Sequence, residues 1–163
     1  MLSIFEVDAF LKADKRSMTG MTWREGLLKD DVQWWKWDCA IDLNGIVPEG
    51  ARLILEYRPE IGAASEKFNC GLLLKNERVY AIDFDQDAQH TNKVGQGRPY
   101  HGKRFGPGTH EHTWSVDGYG YAEPIQDFGN LAALFAYFCK TSNLHVPGGF
   151  KQPPSQQLSL ELI

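Results

Sequence analysis

Alternation of apolar and polar side chains, repeated in segment after segment, constrains this chain more than any other property. In 33–43, Trp35, Trp37, Cys39, Ile41 and Leu43 fall on one side, with Lys36, Asp38 and Asp42 on the other. Segment 51–58 sets Leu53, Leu55 and Tyr57 against Glu56 and Arg58, and 67–75 groups Phe68, Cys70, Leu72 and Leu74. A period of two is the mark of strands buried on one face. Segment 78–85 begins directly after Lys75-Asn76-Glu77, which predicts a tight hairpin with the segment before it. Two further segments, 109–116 and 118–125, complete the series, and Asn44-Gly45 and Pro48-Glu49-Gly50 mark turns.

Two stretches carry helical spacing instead. In 3–14, Ser3 and Glu6 stand at capping-box distance, and Ile4, Val7, Phe10 and Leu11 form an apolar side. In 127–141, Asp127 is placed to cap, and Leu131, Leu134, Phe135 and Phe138 recur at i, i+3, i+4 and i+7. Strands in series between two terminal helices predict an α+β class: a mostly antiparallel sheet of about 5–7 strands with both helices on one face. The 163 residues suit a single domain, 1–163, carrying a long loop at 88–108 and a proline-bearing tail at 145–163. Leu158, Leu160 and Leu162 alternate in that tail as an edge strand would.

Charge and cysteine usage narrow the function classes. A net charge of −4 gives no global attraction to nucleic acid or anionic lipid, so any nucleic-acid contact needs a local basic patch. Cys39, Cys70 and Cys139 form no CxxC pair and read as small core residues in a reducing compartment. Glu6 and Asp8 interrupt the first apolar stretch, and no run approaches the roughly 18 apolar residues of a membrane span. The expectation is a cytoplasmic protein with no membrane partner.

Chemistry concentrates in one region. Asp83, Asp85 and Asp87 alternate along a strand end, followed by His90, His101, and the pair His110 and His112 around Glu111. Imidazoles and carboxylates exchange protons or bind divalent ions near neutral pH. HxH is the minimal bidentate metal spacing on a strand, so Asp83, Asp85, His90, His110 and His112 are the metal candidates. No resident cofactor is required if two imidazoles share the proton work. His110 and His112 share a face with Trp114 and Val116, an apolar side on which two histidines imply a pocket or a bonded pair. The intervening 88–108 lacks periodicity and acidic residues, yet holds Lys93, Arg98, Lys103 and Arg104 among five glycines. Tyr100 and Phe105 could stack on bases there, with His101 beside them. Trp34 points away from Trp35 and Trp37, toward a covering element or a partner.

The segments VYAIDFDQDAQHTN, GPGTHEHTWSVDGYGYAEPI, LFAYFCKTSNLH and PPSQQLSLEL resemble a family of small bacterial proteins carrying a domain of unknown function. That family joins an (H/E)xHxW element to a helix with a Phe-Cys pair and a proline-bearing tail. The resemblance covers about residues 50–163 and lends no activity. A looser similarity is to the TumE-like toxins of bacterial toxin–antitoxin pairs, whose outline only Asp83, His110 and His112 match. Their element is spaced HxxH, whereas this chain has HEH.

Two functions follow as expectations. The first is a ribonuclease-like protein acting on RNA. Its catalytic residues are His110, His112 and Asp83, and Arg98, Tyr100, His101, Lys103 and Arg104 bind substrate. Lys103 or Arg104 would stabilise the phosphorane, and a metal-dependent variant would recruit Asp83 and Asp85 with a histidine. The second is a non-catalytic, antitoxin-like accessory protein that binds a cognate partner, or itself as a homodimer, with structural histidines. Exposure decides between them: catalysis needs His110 and His112 to face a basic concavity.

Overall fold

The structure, a computed structural model, describes residues 1–154. The chain opens with helix α1 (Ile4–Lys12), started by the capping box its sequence signals: Ser3 Oγ accepts from the Glu6 N–H, and Glu6 Oε2 accepts from the Ser3 N–H. Its end is closed from inside. The buried Lys15 ammonium donates to the carbonyls of Phe10, Leu11 and Ala13, at 2.5, 3.1 and 2.7 Å. Burial pushes the Lys15 amine down to about 8, and the carbonyls left free at a helix C-terminus are what make its burial tolerable.

Strands β1 (Lys15–Ser17), β2 (Arg24–Lys29), β3 (Val32–Asp42), β4 (Arg52–Arg58), β5 (Lys67–Leu74) and β6 (Glu77–Asp85) follow. Next come a short pair, β7 (His90–Thr91) and β8 (Arg104–Phe105), then β9 (Gly108–Ser115) and β10 (Gly118–Pro124). Helix α2 (Leu131–Ser142) and β11 (Leu144–His145) complete the described chain. The main sheet runs β10-β9-β6-β5-β4-β3-β1-β11, with β2 pairing β3 beside this path. All pairings are antiparallel except β1 with β11. The class is α+β with a mostly antiparallel sheet, as the alternation predicts.

The sheet has nine strands, more than the periodicity counts. The additional ones are short, or like β2 are exposed on both sides, so they carry little alternation. Glu77 opens β6 directly after the Lys75-Asn76 turn, where both residues take positive φ, the type I′ geometry that suits a right-twisted hairpin. The second helix starts later than Asp127. Asn130 is its cap, accepting from the Ala133 N–H at 2.8 Å, while Asp127 accepts from the Gly129 N–H in the preceding turn. The expected edge strand at Leu158, Leu160 and Leu162 lies outside the described residues.

One face of the sheet forms the core. Trp37, Ile41, Leu53, Leu55, Phe68, Leu72, Tyr80 and Ile82 are buried together with Val7 and Phe10 of α1 and Leu134, Phe135 and Phe138 of α2. Phe138 stacks on Tyr80 at 5.4 Å. Glu111, also on this face, accepts from the hydroxyls of Tyr80 and Tyr137 at 3.0 and 3.2 Å. Cys39 and Cys70 are buried and Cys139 partly so, all unpaired. None of the helices among the described residues is long and apolar enough to cross a membrane.

Candidate metal centre

Because Ile82 and Phe84 turn to the core, Asp83 between them projects from the opposite face. Strand register then decides which residues it meets. Asp83 pairs with His110 and Ala81 with His112, so both imidazoles stand on the same side as the Asp83 carboxylate. His112 lies between Ala81 of β6 and Ala122 of β10, two small residues that leave room for its ring. The histidines thus occupy the face opposite the core residues Ile82 and Phe84. Val116, expected beside them, is instead exposed at the β9–β10 turn.

The three groups converge. His112 Nε2 is 2.9 Å and His110 Nε2 3.6 Å from Asp83 Oδ2, and one ligand atom from each residue lies within 4.8 Å of the others. His110 and His112 are buried, at 7% and 9% exposure, so the site is not an open groove. His110 Nδ1 lies 3.3 Å from the Gly108 carbonyl, an acceptor that places the proton on Nδ1 and leaves Nε2 with a free lone pair. Burial pushes His110 below its ordinary pKa against the pull of Asp83, which favours the neutral, ligating form.

What buries them is the chain between β6 and β9. Sequence periodicity leaves 88–108 without structure, yet it holds the β7–β8 pair and packs as a flap over this face. His90 lies 5.9 Å from His110 and 5.2 Å from His112, ring centre to ring centre, and Phe105 is 5.9 Å from His110. Tyr119 approaches His112 at 6.3 Å from β10 and itself contacts Trp114. Its hydroxyl is buried with no hydrogen-bond partner among the described residues. Sequence reading missed Tyr119; pairing the two strands across the 116–117 turn sets it opposite Trp114, which is the signal that locates it.

Comparison with family models, curated proteins and solved structures finds no match to this chain. The remaining sequence candidates separate from the centre. Asp85 accepts from the Asp87 and Ala88 N–H groups and pairs with Lys67 at 2.9 Å, which lowers its pKa despite burial. Asp87 accepts from Ser65 Oγ at 2.6 Å. Arg98 is spent on packing: its guanidinium lies 3.7 Å over the Tyr121 ring and donates to Thr113 Oγ1. Tyr100 packs on Phe105 and donates its N–H to the Tyr121 hydroxyl. His101 is exposed, its Nδ1 beside the Val94 carbonyl. Lys103 and Arg104 are exposed on the flap. Trp34 is half-buried beside Arg58, 5.8 Å from its guanidinium.

Proposed function

We propose that this protein is a divalent-metal protein in which Asp83, His110 and His112 hold one ion. The observation that carries the reading is that one carboxylate oxygen and two imidazole nitrogens, from two paired strands, lie within 4.8 Å of one another. Ligands about 2.1 Å from a tetrahedral ion stand about 3.4 Å apart. The 2.9 and 3.6 Å separations from Asp83 bracket that distance, and with all three ligand atoms within 4.8 Å of one another, loading draws the side chains together. Two imidazoles and a carboxylate suit Zn²⁺ or another first-row ion rather than Mg²⁺ or Ca²⁺, which prefer all-oxygen shells.

Three protein ligands leave a position for water, whose pKa an ion lowers into the neutral range, giving a nucleophile for hydrolysis. Phosphodiester hydrolysis on RNA by a bacterial cytoplasmic protein fits the sequence provided the flap opens, since both histidines are buried beneath it; Lys103 and Arg104 of the flap are exposed for phosphates. A second reading, a partner-binding accessory protein, draws on the exposed Leu27 and Leu28 of β2.

Equilibrium dialysis of the purified protein against Zn²⁺ tests the proposal. One ion per chain is expected, lost in Asp83→Ala and in His110→Ala/His112→Ala while circular dichroism shows both variants folded. Cleavage of labelled RNA that EDTA abolishes would support the hydrolytic role. Absence of bound ion, with the variants destabilised, would make the cluster a structural hydrogen-bonded network and favour the partner-binding reading.

A further inference from the structure

Three ligands come from the rigid sheet, and a fourth imidazole stands over them on a different kind of element. His90 belongs to the flap, and two anchors fix its position on either side. At the flap's base, Gly106 passes so close to Ala88 that a Cβ on it would lie 2.6 Å from the Ala88 carbonyl oxygen, at a φ of +109°. Only glycine permits that approach. Two residues after His90, Asn92 is buried and bonded in both directions to one edge-strand residue. Its Oδ1 accepts from the Ala122 N–H at 2.7 Å, and its Nδ2 donates to the Ala122 carbonyl at 2.6 Å. Ala122 is the register partner of His112. The anchor that holds His90 is therefore fastened beside the imidazole it faces.

The local inventory of polar groups points to an ion. Two imidazoles, of His110 and His112, face one carboxylate oxygen, Asp83 Oδ2, and the His90 ring stands 5.9 and 5.2 Å from theirs, centre to centre. A divalent ion accepts several nitrogen lone pairs at once, and four ligands of mixed nitrogen and oxygen make a closed tetrahedral shell.

Resting on the metal reading above, we infer that His90 is the fourth ligand of the centre and that the bound ion latches the 86–107 flap over it. The flap is then coupled to loading. In the closed form His90 fills the position that a substrate or water would need, and opening the flap withdraws His90 and exposes that position together with Lys103 and Arg104. Metal occupancy and access to the site thereby become one equilibrium.

The test uses the full-length protein with Co²⁺ as a spectroscopic probe and Zn²⁺ as the latch. Wild type is expected to show the intense visible absorption of four-coordinate Co²⁺. His90→Ala should bind at least about tenfold more weakly and show the weak bands of a water-filled shell. His90→Cys, which replaces one ligating side chain by another, should recover affinity and band intensity. In parallel, Zn²⁺ should protect the exposed Lys103 and Arg104 of wild type from trypsin, and should fail to protect them in His90→Ala. Unchanged Co²⁺ affinity, spectrum and protection in His90→Ala would overturn the latch and leave the three-ligand centre standing. A wild type that binds neither ion would overturn both.

Discussion

Asp83 is the residue on which the centre turns, because a single carboxylate oxygen faces two buried imidazoles. Removing it in the metal-free protein leaves His112 Nε2 buried without its acceptor, which costs about 1–3 kcal/mol. Urea unfolding of Asp83→Ala against wild type in EDTA measures that loss; a change within error would mean the imidazoles find other partners. The same burial sets a pH dependence. His110 is pushed below its ordinary value of about 6.5 by desolvation, and His90 is shifted in the same direction. Below pH 6.5 the unfolded chain therefore binds protons that the native state refuses, so stability rises with pH through that window and falls on acidification. Metal-free wild type should lose urea resistance as pH drops below about 6.5, and His110→Asn should show a flatter slope. An equally steep slope in the variant would place the acid sensitivity elsewhere. That His110 and His112 share a face was legible in the sequence because residues two apart on a strand do. Which of Asp83, Asp85 and Asp87 meets them was not, since all three alternate alike. Register decides it: Asp83 meets His110, whereas Asp85 meets Gly108 and is taken by Lys67 from β5, and register is a property of the paired sheet.

At the scale of elements, the flap does two jobs with the same residues. It covers the centre, and it protects the outer edge of β10, whose free backbone groups would otherwise invite pairing with another chain. Asn92 stands in for a missing neighbouring strand at Ala122. Gly95 lies so close to the Tyr121 ring that an added Cβ would sit 2.1 Å from it, and Asp117 accepts from the Gly95 and Gln96 N–H groups. Asn92→Ala should cost about 1–3 kcal/mol by orphaning two buried backbone groups. Its distinctive sign is faster hydrogen exchange of the Ala122 amide, with core amides of β5 slowed as before. Uniform acceleration across the sheet would instead mean global destabilisation. The long strands and both helices could be read from periodicity because they bury one face against a core. The flap could not: its contacts run from backbone and from Asn92, Gly95 and Arg98 to two strands some 15–30 residues later, and none of them repeats along the chain.

Across the whole molecule the sheet separates two environments. One face is apolar and held by contacts such as Phe138 on Tyr80; the opposite face carries the ionisable cluster under the flap. An ion bound by β6 and β9, with His90 added from the flap, ties together segments that the apolar core reaches only from the other side. Such a ligand binds the native state alone, because unfolded chain does not assemble the site. At a free concentration 100-fold above its dissociation constant it adds about 2.7 kcal/mol to stability. A domain of this size gains roughly 2–4 °C for each kcal/mol, so saturation with Zn²⁺ should raise the melting temperature by roughly 5–11 °C. Phe138→Leu should lower the melting temperature of both forms and leave that increment intact, since its side chain packs on Tyr80 and Phe135 in the core. His110→Ala/His112→Ala should abolish the increment. Scanning calorimetry of the three proteins with Zn²⁺ or EDTA separates these outcomes. An increment that survives in the double-histidine variant would mean that Zn²⁺ stabilises the protein from somewhere other than this centre.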